Sequence, residues 1–197
     1  MLLIMIISSR NPSFIEVYDN VLSPKECKRA IELFETSPQR RGGVMFSEQI
    51  TISDEHKKDI ELCDKNFQDG SEITDIVWKG LKKGFSLYKK KYSGGLTVIG
   101  DWHVDLGYNV QKYTDETDGY HVWHTEQSGP SHSNRIFVWM IYLNNAKSGT
   151  DFLYHPRVRA KEGRCVIWPA AWTHTHKSQT PNKGLKYLAT GWVSFLP

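Results

Sequence analysis

The chain has 197 residues, 39% hydrophobic and 24% charged, with a formal net charge of +3. That is ordinary soluble globular composition for a single domain, too mildly basic to argue for a nucleic-acid binder. Cys27, Cys63 and Cys165 form neither a zinc spacing nor a complete disulfide framework, which fits a reducing cytoplasm.

Residues 1–7 are apolar. They are far short of the roughly 20 residues that span a membrane, and they lack a basic flank and a cleavage site. They read as a short strand or a disordered leader. Residues 14–18 alternate like a half-buried strand. Ser23 stands before Pro24 and Glu26, a helix start, and Cys27, Ala30, Ile31, Leu33 and Phe34 make an apolar stripe. A helix over 24–36 is expected. Residues 37–56 read as a mobile loop with a short strand near 44–51.

Ile73, Ile76, Val77, Leu81, Phe85 and Tyr88 recur at helical spacing, so 71–92 is expected to be a long amphipathic helix ended by Gly94-Gly95. Gly80 and Gly84 are out of place inside it. Lys82-Lys83 and Lys89-Lys90-Lys91 fit its solvated face. Beyond it, 96–102, 108–113, 121–126, 135–143, 151–155, 164–168, 174–176 and 185–195 read as strands. Helices first and a β region after give an α+β order, with a β-sandwich or barrel.

Within that β region, His124 and Glu126 stand at i and i+2, the spacing that puts two side chains on one face of a strand. A third ligand, His174 or His176, can come from a distant strand. Two imidazoles and one carboxylate on one face of a metal leave open positions, as in non-haem Fe(II) oxygenases. A zinc hydrolase can use the same set. Lys186 separates the two, because a fixed cation near the site suits a co-substrate carboxylate. His103-Val104-Asp105 is a competing His-x-Asp. His121 is expected on the opposite side of the strand from His124. The tryptophans are expected mostly in the core.

The order of these elements resembles the 2-oxoglutarate- and Fe(II)-dependent dioxygenases, in particular the prolyl 4-hydroxylase-like branch of bacterial and phage type. The resemblance rests on Tyr113, Gly119-Tyr120, His124-Thr125-Glu126, Arg135 leading to Tyr142-Leu143-Asn144, Gly163, then His176, Gly184 and Lys186. The opening Val17-Tyr18-Asp19-Asn20-Val21-Leu22-Ser23 matches as well. The family carboxylate is usually Asp, and here it is Glu126.

The resemblance implies a double-stranded β-helix, or jelly roll, with flanking N-terminal helices. Residues 1–197 would be one oxygenase domain, with 1–95 as helical support and 96–197 as the core. It implies His124, Glu126 and His176 as iron ligands. His176 is preferred over His174 because Gly184 and Lys186 follow it at the family's spacing. Lys186 and Tyr113 would bind 2-oxoglutarate. The implied cofactors are Fe(II), 2-oxoglutarate and O2, with ascorbate as reductant. The implied reaction is hydroxylation coupled to decarboxylation of 2-oxoglutarate to succinate. The substrate would be a peptide, a protein or a small molecule, taken by a cytoplasmic monomer or homodimer under loops 37–56 and 127–134. A non-catalytic jelly-roll binding module and a zinc hydrolase are the alternatives.

Overall fold

A computed structural model describes residues 12–46, 49–63, 65–114, 116–181 and 184–196. The strand or leader expected over 1–7 lies outside the described residues. Strand β1 (Glu16–Tyr18) leads into helix α1 (Pro24–Thr36). The helix starts as a capping box: the Glu26 N–H donates to Ser23 Oγ at 3.3 Å, and the Ser23 N–H donates to Glu26 Oε2 at 2.8 Å. Its stripe Cys27, Ala30 and Phe34 is fully buried.

Where a mobile loop is expected, the chain forms β2 (Gln39–Arg41), then a hairpin of β3 (Val44–Phe46) and β4 (Gln49–Thr51). Two short strands follow, β5 (Lys57–Lys58) and β6 (Ile60–Leu62). The N-terminal half is therefore not only helical. β1, β2 and β6 all join the main sheet.

Helix α2 (Glu72–Lys91) matches the expected span. Its two glycines have a packing reason. A Cβ on Gly80 would stand 3.0 Å from Leu22, and one on Gly84 would stand 2.8 Å from Cys165 Sγ. A glycine in a helix costs about 1 kcal/mol relative to alanine. Here that loss lets the helix lie flush on the sheet.

A short helix α3 (Ser93–Leu96) occupies part of the expected strand 96–102, which begins only at β7 (Trp102–Tyr113). Then come β8 (Gly119–Tyr120), β9 (Arg135–Tyr142), β10 (Gly149–Phe152), β11 (Val158–Arg159), β12 (Arg164–Pro169), β13 (His176–Ser178) and β14 (Lys186–Phe195). The main sheet runs β1-β12-β9-β14-β7-β6-β2, a smaller one runs β11-β10-β13, and β5 pairs with β8. All recorded pairs are antiparallel. This is the double-stranded β-helix, with helices against one side.

Alternation along the strands sorts the core in two. From β9, β12 and β14, the side chains of Trp139, Ile141, Cys165, Ile167, Tyr187 and Ala189 pack with the helices. Val138, Tyr142, Val166, Trp168 and Leu188 face the small sheet, against Phe152, Val158 and Ala160. The second face encloses the site.

Two expected strands are irregular. Residues 121–126 make no ladder: His124 forms a lone bridge with His176, Thr125 Oγ1 donates to Ala170 O at 2.7 Å, and the Gln127 N–H donates to the same oxygen at 3.1 Å. This segment crosses between strands. Residues 174–176 are not one strand either, because His174 ends a 3-10 turn and only His176 enters β13.

Candidate metal centre and co-substrate pocket

The His124–His176 bridge builds the site. The His124 N–H donates to His176 O at 3.0 Å, and the His176 N–H donates to His124 O at 2.9 Å. Reciprocal bonding puts the two side chains directly opposite each other on one face. Their ring centroids are 4.3 Å apart. Each Nδ1 is bonded to a backbone carbonyl, Val122 O at 3.1 Å for His124 and His174 O at 3.0 Å for His176. Carbonyls only accept, so each Nδ1 carries the proton and each Nε2 keeps its lone pair, the form that binds a metal.

Glu126 completes the set. Its Oε1 lies 3.6 Å from His124 Nε2 and 3.5 Å from His176 Nε2. The ligand atoms of all three residues lie within 4.8 Å of one another. Its Oε2 is held separately: Trp192 Nε1 donates to it at 2.7 Å and Arg135 Nη1 at 3.3 Å. The Arg135 guanidinium in turn stacks 4.0 Å over the Trp192 ring. The longer carboxylate thus has one oxygen fixed by the protein and one left for a metal.

The rings are held as firmly as the backbone. Tyr120 stacks on His124 at 3.7 Å, and Trp168 meets His176 edge-on at 5.1 Å. Burial, and then the neighbouring His124, lower the His176 pKa, which keeps it neutral and ready to ligate.

His174, the alternative ligand, points elsewhere. Its Nε2 bonds Ser13 O at 2.8 Å, its Nδ1 meets Thr173 Oγ1 at 2.9 Å, and it stacks on His155 at 4.9 Å. His103 is exposed on β7, and Asp105 Oδ2 accepts from Ser194 Oγ at 3.2 Å. His121 is not across a strand from His124; its N–H donates to His56 O at 2.7 Å.

Lys186 and Tyr113 face each other across β14 and β7. The Lys186 Nζ lies 4.3 Å over the Tyr113 ring and donates to Ser178 Oγ at 2.6 Å and Gln179 O at 2.7 Å. Its exposure is 0%, and among the described residues no carboxylate lies within ion-pair distance. Burial brings its pKa down to about 7. A buried cation without an anion is costly, which is the condition expected of a pocket that takes an anionic group.

A cavity of about 620 Å³ joins the triad to Tyr113 and to Ser178, the hydroxyl that Lys186 Nζ contacts. Its wall includes the triad, Tyr113, Ser178, Met140, Leu188 and Trp192. Both expected lid loops reach it, 37–56 through Val44, Ile50 and Ile52, and 127–134 through Ser128 and His132. Sequence reasoning missed Arg135 and Trp192 as the grip on Glu126. The tryptophans are expected mostly in the core, and alternation from Lys186 through Leu188 and Thr190 is the signal that points Trp192 inward. It also missed the buried group of Lys57, Glu61 and Gln111 beside Tyr113.

Residues 108–194 match the sequence model of the 2OG-Fe(II) oxygenase superfamily. No curated protein matches the chain in sequence. Solved structures share its fold. A prolyl hydroxylase from Trichoplax adhaerens, in complex with a hypoxia inducible factor peptide fragment, has a TM-score of 0.68 at 14% identity over 93% of this chain and 84% of its own. A Pseudomonas putida prolyl-4-hydroxylase gives 0.63 at 14% identity over 94% of each chain. A viral collagen prolyl hydroxylase from Paramecium Bursaria Chlorella virus-1, in its 2OG complex, gives 0.60 at 16% identity over 93% of this chain and 97% of its own. Among the described residues no helix is long and apolar enough to cross a membrane. The donor set fits Fe(II), with two neutral imidazoles and one carboxylate on one side of a cavity. Residues 108–194 thus carry the pattern of the 2OG-Fe(II) oxygenase superfamily, whose members use Fe(II), 2-oxoglutarate and dioxygen, on a fold shared with these prolyl hydroxylases and with a triad that could hold a metal.

Proposed function

We propose that His124, Glu126 and His176 hold the iron, and that Lys186 and Tyr113 receive the distal carboxylate of 2-oxoglutarate. The single observation that carries this is the reciprocal His124–His176 bridge with Glu126 Oε1 equidistant from both Nε2 atoms. Iron, 2-oxoglutarate and dioxygen together supply the oxidising power to hydroxylate a C–H bond, with succinate as co-product.

The chain's own residues do the rest. Trp192 and Arg135 fix Glu126 so that one oxygen faces the imidazoles. Lys186 supplies a buried positive charge, strong because water is excluded there. Met140, Leu188 and Trp168 make the adjoining wall apolar. The substrate is proposed to be a peptide. The shared fold with prolyl hydroxylases supports this, as does the exposed pair Ile50 and Ile52 on the cavity wall. Residues 1–197 form one oxygenase domain in this proposal, acting in the cytoplasm, where the free thiols of Cys27, Cys63 and Cys165 are at home.

The test is succinate formation from 2-oxoglutarate by purified protein with Fe(II) and ascorbate, without added substrate, beside His124→Ala. Succinate that vanishes in the variant is the expected result. Equal succinate from both proteins would remove His124 from the site. Absence of succinate, together with no thermal shift from Mn(II) and an unreactive 2-oxoglutarate analogue, would overturn the proposal.

A further inference from the structure

Tyr113 does not offer its proton to the cavity. Its hydroxyl donates to Gln111 Oε1 at 3.3 Å. Gln111 sits two residues back on β7, so its side chain shares the inward face. The other end of its amide, Nε2, donates to Glu61 Oε1 at 2.9 Å. Lys57 Nζ closes on the same oxygen and lies 3.3 Å from Asp59 Oδ2. Lys57, Glu61 and Gln111 are each at most 5% exposed, and all three line the cavity.

The direction of this chain follows from the chemistry. Glu61 Oε1 accepts from the Lys57 Nζ and from the Gln111 Nε2 alike, and a carboxylate oxygen in that position offers no proton in return. Glu61 therefore claims the N–H side of the Gln111 amide. Only the carbonyl side is left for Tyr113, and a carbonyl demands a proton. A co-substrate carboxylate also only accepts. It and the Gln111 carbonyl compete for the single Tyr113 proton.

We propose that Gln111 is a positioning residue that holds the Tyr113 proton back, so that Tyr113 serves the co-substrate only by giving up its bond to Gln111. The inference rests on the placement of the 2-oxoglutarate carboxylate at Lys186 and Tyr113. It makes the affinity for 2-oxoglutarate a difference between two hydrogen bonds. It also sets an unexpected sign, since removing a polar residue from the pocket wall strengthens binding of a polar ligand.

The test is calorimetric titration of the Mn(II)-loaded full chain with N-oxalylglycine, an unreactive analogue, for wild type, Gln111→Leu, Tyr113→Phe and the double variant. Gln111→Met is a second replacement, and each variant is first shown to melt cooperatively. Loss of one competing neutral hydrogen bond predicts binding about fivefold tighter in both Gln111 variants. Tyr113→Phe binds more weakly than wild type, and in that background Gln111→Leu has no further effect. Weaker or unchanged binding in the Gln111 variants would overturn the inference, and so would tightening that persists without the Tyr113 hydroxyl. A wild-type protein that takes up Mn(II) but no analogue would overturn the co-substrate placement and this inference with it.

Discussion

The two faces of the main sheet differ although they come from the same strands. On β9, Trp139 and Ile141 turn outward and have no exposed surface, packed under α1 and α2. Their neighbours Met140 and Tyr142 turn inward, where Tyr142 meets Thr150 Oγ1 at 2.7 Å. On β14, Tyr187 and Ala189 turn out, while Lys186, Thr190 and Trp192 turn in with polar atoms engaged. The outer face is apolar, close-packed and tight enough to need glycines. The inner face carries charges and hydrogen bonds that packing alone would not select. The outer face carries packing alone, while the inner face combines a second apolar cluster with the chemistry.

That contrast can be broken from the inner side first. Glu126→Ala should lose metal affinity beyond the roughly 10–100-fold typical of residues that merely hold a ligand in place. Its melting temperature should fall modestly, because Arg135 and Trp192 lose their carboxylate partner, as read by Mn(II) titration beside a thermal melt. A large loss of stability would mean that the inner face also carries the fold.

Lys186→Met should weaken analogue binding by roughly 10–100-fold, since a hydrogen bond to a charged group is worth about 1.5–3 kcal/mol. The same change should raise the melting temperature of the ligand-free protein, because it removes a buried ammonium with no carboxylate partner among the described residues. The pH dependence follows from the same residue. Its pKa of about 7 in the free protein means that the cation is lost as pH rises through 7. Analogue affinity should then fall by up to about tenfold per pH unit on the alkaline side, and Lys186→Arg should flatten that fall.

Trp192→Phe removes the 2.7 Å bond to Glu126 Oε2 but keeps a ring for Arg135 to stack on. A loss of about tenfold in metal affinity, with little change in melting, is expected. The outer face supplies the converse. A Cβ on Gly191 would stand 2.7 Å from Trp139, so Gly191→Ala should cost about 1–3 kcal/mol in denaturant melts. Metal affinity at a temperature where the protein stays folded should not change.

Much of the outer face was legible in the sequence, and less of the inner one. Helical spacing from Ile73 to Tyr88 fixed α2 because one wide apolar stripe has one reading. Gly80 and Gly84 looked like faults in it, and only the distances to Leu22 and Cys165 show why they belong. The long strands β9 and β14 were visible as apolar runs. The hairpin β3–β4 was half visible, since strands of three residues are too short to show a period. At the site, the types and order of His124, Glu126 and His176 were legible, but their construction was not. The i and i+2 spacing suggested one strand carrying two ligands. In fact residue 124 pairs, among the described residues, with one far along the chain, and no local periodicity records a single bridge. Lys57, Glu61 and Gln111 were invisible for a similar reason. Each is an ordinary polar residue in sequence; the pairing of β6 with β7 brings Glu61 to Gln111, and Lys57 reaches Glu61 from four residues before it.

The reciprocal backbone bonds between His124 and His176 bear on the life of the protein between turnovers. Two main-chain hydrogen bonds hold these imidazoles in place whether or not an ion is present, so the coordinating geometry belongs to the polypeptide. Zinc fingers stand at the opposite extreme, where metal and fold arrive together. Chelation should therefore leave this protein folded and silent, and adding Fe(II) back should restore it without a refolding lag. Iron supply would then act on it as a reversible on–off control.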